Sequence, residues 1–442
     1  MVALAAGFGL LAGIDPRIAL AAALGLAFVA VMISDLAAGL VVFTVVAFLD
    51  FLPFGGAAVT LSKVAGVLLV LSWLAVLATK QEKASDFFSD HPMASYLLLL
   101  FLGWSSASIL WAEDPQAGIG AVYRYGLNIL LFLVVYTAIP SAREAVWVVG
   151  AFLFGAFVSA SYGIAFPAPP ETPDDISRLG GVGVGANEVA ALLVAALALA
   201  GAFAAGWRRS PLLRLASLVV LATCTLGVLL SFSRGGLIAL AVALVAAVVL
   251  GGRWRPAAVG FLVVVSLAAV SYITFFAPPE ARERVTEVEG GTGRTDIWKV
   301  GLRMVEASPT NGIGAGNFAT TSVHYLLEPG ALQRDEFIVD EPKVAHNIYL
   351  EVLAELGVVG LVLFLGILGF SLAAGVKAAR AFERVGDRRM ELLARSISVA
   401  LIALLAADFF VSDQFSKQLW LLLALGPTLL RIAETEERAA VA

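Results

Sequence analysis

Apolar runs of bilayer length follow one another along almost the whole chain, separated by short polar breaks. A spanning helix needs roughly 20 mostly apolar residues. Runs of that kind occupy 18–34, 36–54, 59–79, 95–112, 121–139, 145–166, 187–206, 212–231, 236–250 and 257–276. After a long gap come 347–372, 395–411 and 417–430. The run 2–14 is shorter, lacks the basic start of a signal peptide, and is followed at once by another apolar helix. The pattern predicts an all-α polytopic membrane protein with about 12–14 transmembrane helices and one large outer loop containing short helices.

That loop, 277–343, is polar and rich in Gly, Glu and Arg. Long loops in compact proteins are usually functional or disordered. Thr295 is placed to cap a helix running to about Glu306, with Trp298, Leu302 and Val305 on one apolar stripe and Lys299, Arg303 and Glu306 beside it. Such a helix is expected to lie on the membrane surface or close over a cavity. The chain then divides into N-terminal membrane helices (1–276), the outer loop (277–345), and C-terminal membrane helices with a short tail (346–442).

Composition strengthens this picture. Of 442 residues, 60% are hydrophobic and 14% charged, with mean hydropathy +0.92. A soluble domain carries about 25% charge, and this much apolar surface cannot hide inside a globule. A cytosolic enzyme and a secreted domain are excluded. The net charge of −5 and the lack of a basic stripe exclude nucleic acid as a partner. A lone Cys224 makes neither an internal disulfide nor a cysteine metal cluster. With only His91, His324 and His346, and no HExxH pair, no protein-ligated metal and no cofactor are expected.

Basic residues in short loops set the orientation. Lys377, Arg380, Arg384, Arg388 and Arg389 mark the segment between Leu372 and Met390 as cytoplasmic. Strict alternation then also places 251–256, 207–214 and 80–94, which carry Arg253, Arg255, Arg208, Arg209, Arg214, Lys80 and Lys83, inside. Glu113, Asp114 and the long loop fall outside, and the C-terminal tail inside.

The outer face collects the polar groups. Arg124 lies one turn into its helix, where a snorkelling anchor is the ordinary role. Arg178 and Asn187 flank a glycine-rich stretch. Arg234 lies in the tight turn Ser231-Phe-Ser-Arg-Gly-Gly236. Arg282, Arg284 and Arg294 lie in the long loop, the first two among glutamates as a solvated charge run. His91, inside and next to Asp90, is expected to be a plain surface residue. His324 has no distinct reading. His346 stands at the mouth of a helix and is either a cap or a group that titrates near neutrality. Asp408 and Asp413 lie toward an outer helix end and suit a base or an arginine partner. Guanidinium forks grip phosphate oxygens with paired hydrogen bonds, so several on one face suggest a diphosphate.

Three segments in order resemble the O-antigen ligase and Wzy-type O-antigen polymerase superfamily. They are Ser231-Phe-Ser-Arg-Gly-Gly236; Arg294-Thr-Asp-Ile-Trp298 with Pro309-Thr-Asn-Gly-Ile-Gly-Ala-Gly-Asn-Phe318; and His346-Asn-Ile-Tyr-Leu350 leading to Glu355-Leu-Gly-Val-Val-Gly360. Trp111-Ala-Glu-Asp-Pro115 and Arg178 to Asn187 also look like family features. The resemblance implies a metal-independent glycosyltransferase of the cytoplasmic membrane, its site facing the periplasm. The donor would be a glycan on undecaprenyl diphosphate, and the acceptor lipid A–core or another glycan. By the same resemblance, Arg234 and Arg178 are expected to contact the diphosphate, with Arg124 a further candidate. His346 would serve as base or as diphosphate contact. Arg294 and Asn347 would organise the loop, and Asn187 belongs to the substrate-binding set.

A ligase and a polymerase share these motifs, and the acceptor pocket decides between them. A polysaccharide transporter or flippase would instead show inverted repeats and ionisable groups at mid-membrane. Lys63 and Arg124 come nearest to that, but both lie toward outer ends. A non-catalytic scaffold gives no reason for ordered arginines beside His346.

Overall fold

Helix starts follow local chemistry, and the helices follow the apolar runs. The computed structural model describes residues 16–50, 61–79, 86–168, 177–180, 185–286, 294–326 and 343–441. The apolar run 2–14 lies outside them. The first helices are α1 (Pro16–Ser34), α2 (Leu36–Leu49), α3 (Leu61–Thr79), α4 (Pro92–Ala107), α5 (Pro115–Ala138) and α6 (Ala142–Ala165). They are followed by α7 (Ala186–Gly206), α8 (Pro211–Leu230), α9 (Arg234–Leu250) and α10 (Arg255–Ser271). The outer loop contributes α11 (Pro279–Thr286) and α12 (Arg294–Ala307), and the chain ends with α13 (Ile348–Val385), α14 (Arg388–Ala407) and α15 (Lys417–Val441). Asp35, Asp114, Ser141, Ser233, Asn347 and Asp387 each accept a hydrogen bond from an amide of the first turn they precede. These otherwise orphaned donors are what side-chain caps satisfy.

The fold is all-α and polytopic. Among the described residues, nine helical segments are long and apolar enough to cross a membrane; 25–34, α2 and α9 are apolar but shorter. The expected span over 417–430 is the start of the 25-residue α15, which runs on through Arg431 and Glu434.

α7, α13, α14 and α15 form the centre, with Trp420, Leu422, Phe364 and Leu393 fully buried. Small residues let these helices approach closely, as packing in lipid demands. A Cβ on Gly426 would strike the Ser371 carbonyl, and one on Gly375 would lie 2.6 Å from Ser398 Oγ. α3, α8 and α10 are peripheral and turn Val67, Leu215, Val264 and Leu267 outward, as lipid-facing helices should.

Three expectations need correction. The basic segment after Leu372 is helical: α13 continues to Val385, and only Gly386 (φ 85°) and Asp387 separate it from α14. Its Ala, Lys, Arg and Glu residues are strong helix formers, and the left-handed glycine ends the run. α12 begins at Arg294, so Thr295 lies inside it, and its buried face is Ile297, Val300, Gly301 and Met304. Leu302 is 52% exposed. The buried face lies one residue out of phase with the expected stripe: Trp298 and Val305 pack at its edge, and Trp298 also donates Nε1–H to Ala345 O at 2.9 Å. His91 is not a plain surface residue. It is half-buried among the rings of Phe87, Tyr136 and Phe370, with centroids at 5.4–5.7 Å, and that burial lowers its pKa.

α13 is broken one-quarter along its length at Gly357 (φ 66°, ψ −171°). The segment 309–318 fills the break. Val358 N–H donates to Pro309 O (2.9 Å), Ile313 N–H to Ala354 O (2.9 Å) and Gly314 N–H to Glu355 O (2.9 Å). A Cβ on Gly357 would collide with the Thr310 carbonyl. Left-handed strain costs about 1–3 kcal/mol and overpacking a further 1–3 kcal/mol. Gly357→Ala is therefore expected to lower the thermal unfolding midpoint in detergent sharply. Gly369→Ala, at a helical glycine with open space around it, should leave the midpoint unchanged or raise it. Equal midpoints for the two variants would contradict the clasp.

Candidate functional site

The glycine-rich segment 309–318 is a structural clasp. Gly312, Gly314 and Gly316 all have positive φ. A Cβ on Gly314 would lie 2.6 Å from Ala112 Cβ, and one on Gly316 2.7 Å from Ala117 O. Glu355, 2% exposed, accepts from Gly316 N–H (2.8 Å) and Phe318 N–H (3.1 Å). Asn317 accepts from Asp114 N–H (2.7 Å), and its amide donates to Asp114 O (3.1 Å). The indoles of Trp104 and Trp111 donate to Leu356 O (2.9 Å) and Gly312 O (3.1 Å). Through these bonds the outer loop is fastened to the ends of α4, α5 and α13.

The same economy fixes His346. Asn347 Oδ1 accepts from Tyr349 N–H and Leu350 N–H, both at 3.0 Å, and so caps α13. On the other side Ala345 is pinned twice: its N–H donates to Glu351 Oε2 (3.0 Å), and its carbonyl accepts from Trp298. Between two fixed neighbours His346 takes φ 48°, a left-handed conformation that histidine adopts more readily than branched residues. Strain of this kind persists only where surroundings over-determine it.

Arg234 is the first residue of α9, half-buried, immediately after the cap Ser233. Ser233 Oγ accepts from Gly236 N–H (3.0 Å) and donates to Asn187 Oδ1 (2.6 Å). Asn187 therefore bears on the arginine turn through its cap. The turn is tightly seated: Cβ atoms on Gly235 and Gly236 would lie 2.9 Å from Phe410 Cβ and 2.8 Å from Ala190 Cβ. Arg178 pairs with Ala168 across a short antiparallel bridge, and the next residue, Leu179, donates its N–H to Leu230 O (3.1 Å) at the end of α8. The arginines at 178 and 234 thus flank one helix end.

The segment 408–411 joins this turn to His346. Its Phe410 packs on Gly235, while Asp408 O and Val411 O both accept from Ile348 N–H, at 2.9 and 3.0 Å. Phe409 contacts Trp298 edge-on, with centroids 5.7 Å apart. Arg294, first residue of α12, is close enough for its charge to act on His346. Burial lowers the His346 pKa first, and the positive charges of Arg294 and Lys343 add, bringing it to about 4. The imidazole is neutral at pH 7. Arg124 is exposed, lies 3.8 Å from the Phe415 ring centre, and is near enough for its charge to act on Glu351 and Glu355. Arg282 is exposed, and the Arg284 side chain lies outside the described residues. His324 pairs with Glu113 on the surface at 2.9 Å.

Two cavities border the cluster. An apolar groove of about 490 Å³ begins at Tyr349, Phe409 and Phe410 and runs down α9 and α14. A polar cavity of about 290 Å³ is lined by Asp50, Glu188, Asp413 and Lys417. Asp408, fully buried, has no hydrogen-bond partner on either carboxylate oxygen, and burial followed by the Asp413 and Glu188 charges raises its pKa. Burial, with Glu188, pushes Asp413 up to about 7. Sequence reasoning missed Glu351, Glu355 and the Lys417–Asp50 pair (2.7 Å). An isolated acid inside an apolar run was the available signal, since ionisable groups there are costly and rarely idle.

Residues 218–365 match the Wzy_C family model, O-antigen ligase. The match covers a third of the chain and shows similarity to that family over this region. No curated protein matches the chain. The matched region runs from α8 into α13 and contains Arg234, Arg294, His346 and Asn347. Arg124, Arg178 and Asn187 precede it.

His346 provides a test of the electrostatics. Its pKa is depressed on folding, so its contribution to stability is present above the unfolded value of about 6.5 and lost as pH falls toward 4. Against His346→Asn, which tolerates the same backbone, the wild type should lose up to about 1.4 kcal/mol of stability per pH unit across that window. Thermal midpoints measured for both from pH 7 to pH 4 would run parallel if the histidine were not buried as a neutral group.

Proposed function

We propose that this chain is a membrane-embedded glycosyltransferase that moves a glycan from undecaprenyl diphosphate to an acceptor hydroxyl at the outer face of the cytoplasmic membrane. The match of residues 218–365 to the O-antigen ligase family model supports the coarser statement, a ligase- or polymerase-type role in O-antigen biosynthesis. The observation that carries the finer reading is the convergence of Arg178, Arg234, Arg294 and His346 on one end of the bundle. Three of these four lie inside the matched domain.

On this reading Arg234 and Arg178 grip the diphosphate, with Arg294 beside His346. The acceptor oxygen attacks the anomeric carbon, and the carbon–oxygen bond to the β-phosphate breaks. Undecaprenyl diphosphate leaves with the electron pair. Fixed guanidinium groups oppose the charge that builds on the leaving oxygen, in a site where water screens little. The acceptor proton passes to His346, neutral at pH 7 and free to accept it; in its other role His346 hydrogen-bonds the diphosphate through its ring N–H, and the departing diphosphate oxygen takes the acceptor proton. No nucleotide takes part, because the carrier already holds the activated bond, and the arginines provide the charge that a metal would otherwise supply. Asn187 and Asn347 act by holding Ser233 and the first turn of α13.

The test is transfer by the purified chain in nanodiscs from an undecaprenyl-diphosphate-linked oligosaccharide, with EDTA present. Arg234→Ala should cut turnover about 100- to 1,000-fold, as removal of one oxyanion-stabilising donor does. Arg234→Lys should retain part of it, since a point charge replaces the fork. Glycan appearing on lipid A–core identifies a ligase, and a ladder on the carrier without that acceptor identifies a polymerase. Flipping without transfer would replace the proposal with a transporter.

A further inference from the structure

At the end opposite His346, a cavity of about 490 Å³ lies between α7, α8, α9, α10 and α14. Its walls are apolar, with Ala198, Ala202, Leu221, Phe261 and Val399 among them. α8 packs chiefly on α7 and α10 chiefly on α9, so the two outer helices flank the cavity without closing it against lipid.

Its rim is basic. Arg208, Arg214 and Arg395 all line it. Arg395 is neutralised by Glu391 (2.9 Å) and Glu383 (2.8 Å), and Arg253 shares the same two carboxylates. Arg208 and Arg214 are exposed and have no acidic partner among the described residues. Two uncompensated guanidinium groups therefore stand over an apolar chamber.

We infer that this cavity binds an anionic phospholipid of the leaflet facing the basic loops, with one acyl chain in the chamber and the phosphate on Arg208 and Arg214. The size fits. An apolar cavity of about 150 Å³ takes one benzene, so at the same filling about 490 Å³ takes roughly 20 carbons. The charge fits too, since basic pockets between membrane helices on the cytoplasmic side hold anionic headgroups. This site is independent of the transfer chemistry and lies at the far end of the bundle from it.

Native mass spectrometry of the detergent-purified chain, titrated with phosphatidylglycerol or phosphatidylcholine of identical acyl chains, reads the binding. Phosphatidylglycerol should bind about 5- to 30-fold more tightly, and Arg208→Gln/Arg214→Gln should abolish that preference. Gly201→Phe fills the chamber from a position where a Cβ meets nothing within 4 Å, and should weaken both lipids while leaving both arginines in place. Equal binding of the two lipids overturns the proposal. So does wild-type binding by Gly201→Phe, which would leave only surface charge attraction. Undecaprenyl phosphate, as a third probe, overturns it by displacing phosphatidylglycerol with higher affinity, which would make the chamber a carrier-tail site.

Discussion

Two buried carboxylates one helical turn apart, Glu351 and Glu355, organise the end of the bundle that carries His346. Each is at most 3% exposed. A buried carboxylate is tolerable only when its lone pairs are met by donors. Glu351 is met by Ala345 N–H, Ser412 Oγ–H and Gln414 Nε2–H, and Glu355 by Gly316 N–H and Phe318 N–H. Successive turns of α13 therefore gather three separate stretches of chain: the approach to His346, the 412–414 segment, and the glycine clasp. Neither acid is needed to touch substrate for its loss to be felt. Removing either would leave buried amide donors without acceptors, at about 1–3 kcal/mol each, and would free the backbone on one side of His346 or the clasp that supports it.

The clasp explains why glycine recurs where it does. Gly312, Gly314, Gly316 and Gly357 each bring two backbones to a distance that excludes a Cβ, and all four have positive φ. Ten residues of loop thereby become a plug in a broken helix. The break has a use as well as a cost. It leaves amide and carbonyl groups of α13 at 354–358 without helical partners, and the clasp supplies partners for them. Irregular backbone within a membrane helix is tolerated only where protein re-satisfies it in this way.

Much of this was legible from residues alone, and the boundary of legibility is physical. Apolar run length placed the spans because lipid leaves the backbone almost no alternative to a helix. The basic segments marked one end because charge bias is local in sequence. The turn around Arg234 was readable for the same reason, since small and hydroxyl residues crowd one short stretch; that Ser233 caps α9 is a finding of the structure. The true face of α12 was not readable, because Trp298 both packs at the edge of the buried face and bonds Ala345 O from across the loop, a partner 47 positions away in sequence. The break at Gly357 was equally hidden. Its cause, Thr310, lies 47 positions earlier, and a glycine in an apolar run looks the same whether it packs two helices or interrupts one. The aromatic cage of His91 is another tertiary effect, assembled from Phe87 in the turn before α4, Tyr136 of α5 and Phe370 of α13.

The low basicity of His346 bears on the mechanism proposed for this site. A histidine with a pKa of about 4 is neutral at pH 7, but it is a weak base there. Two of the three causes are positive charges, Arg294 and Lys343. A diphosphate bound against those groups would cancel them, and by linkage a ligand that raises the affinity of His346 for a proton is itself bound more tightly when that proton is present. On the proposed reading the imidazole is then a poor proton acceptor in the empty site and a better one once the donor is seated. Burial alone would not give this behaviour, because desolvation persists whether or not the anion is there. The arginines would stabilise the leaving group and, by their own neutralisation, permit the histidine to take the acceptor's proton, so one electrostatic event would prepare both ends of the reaction.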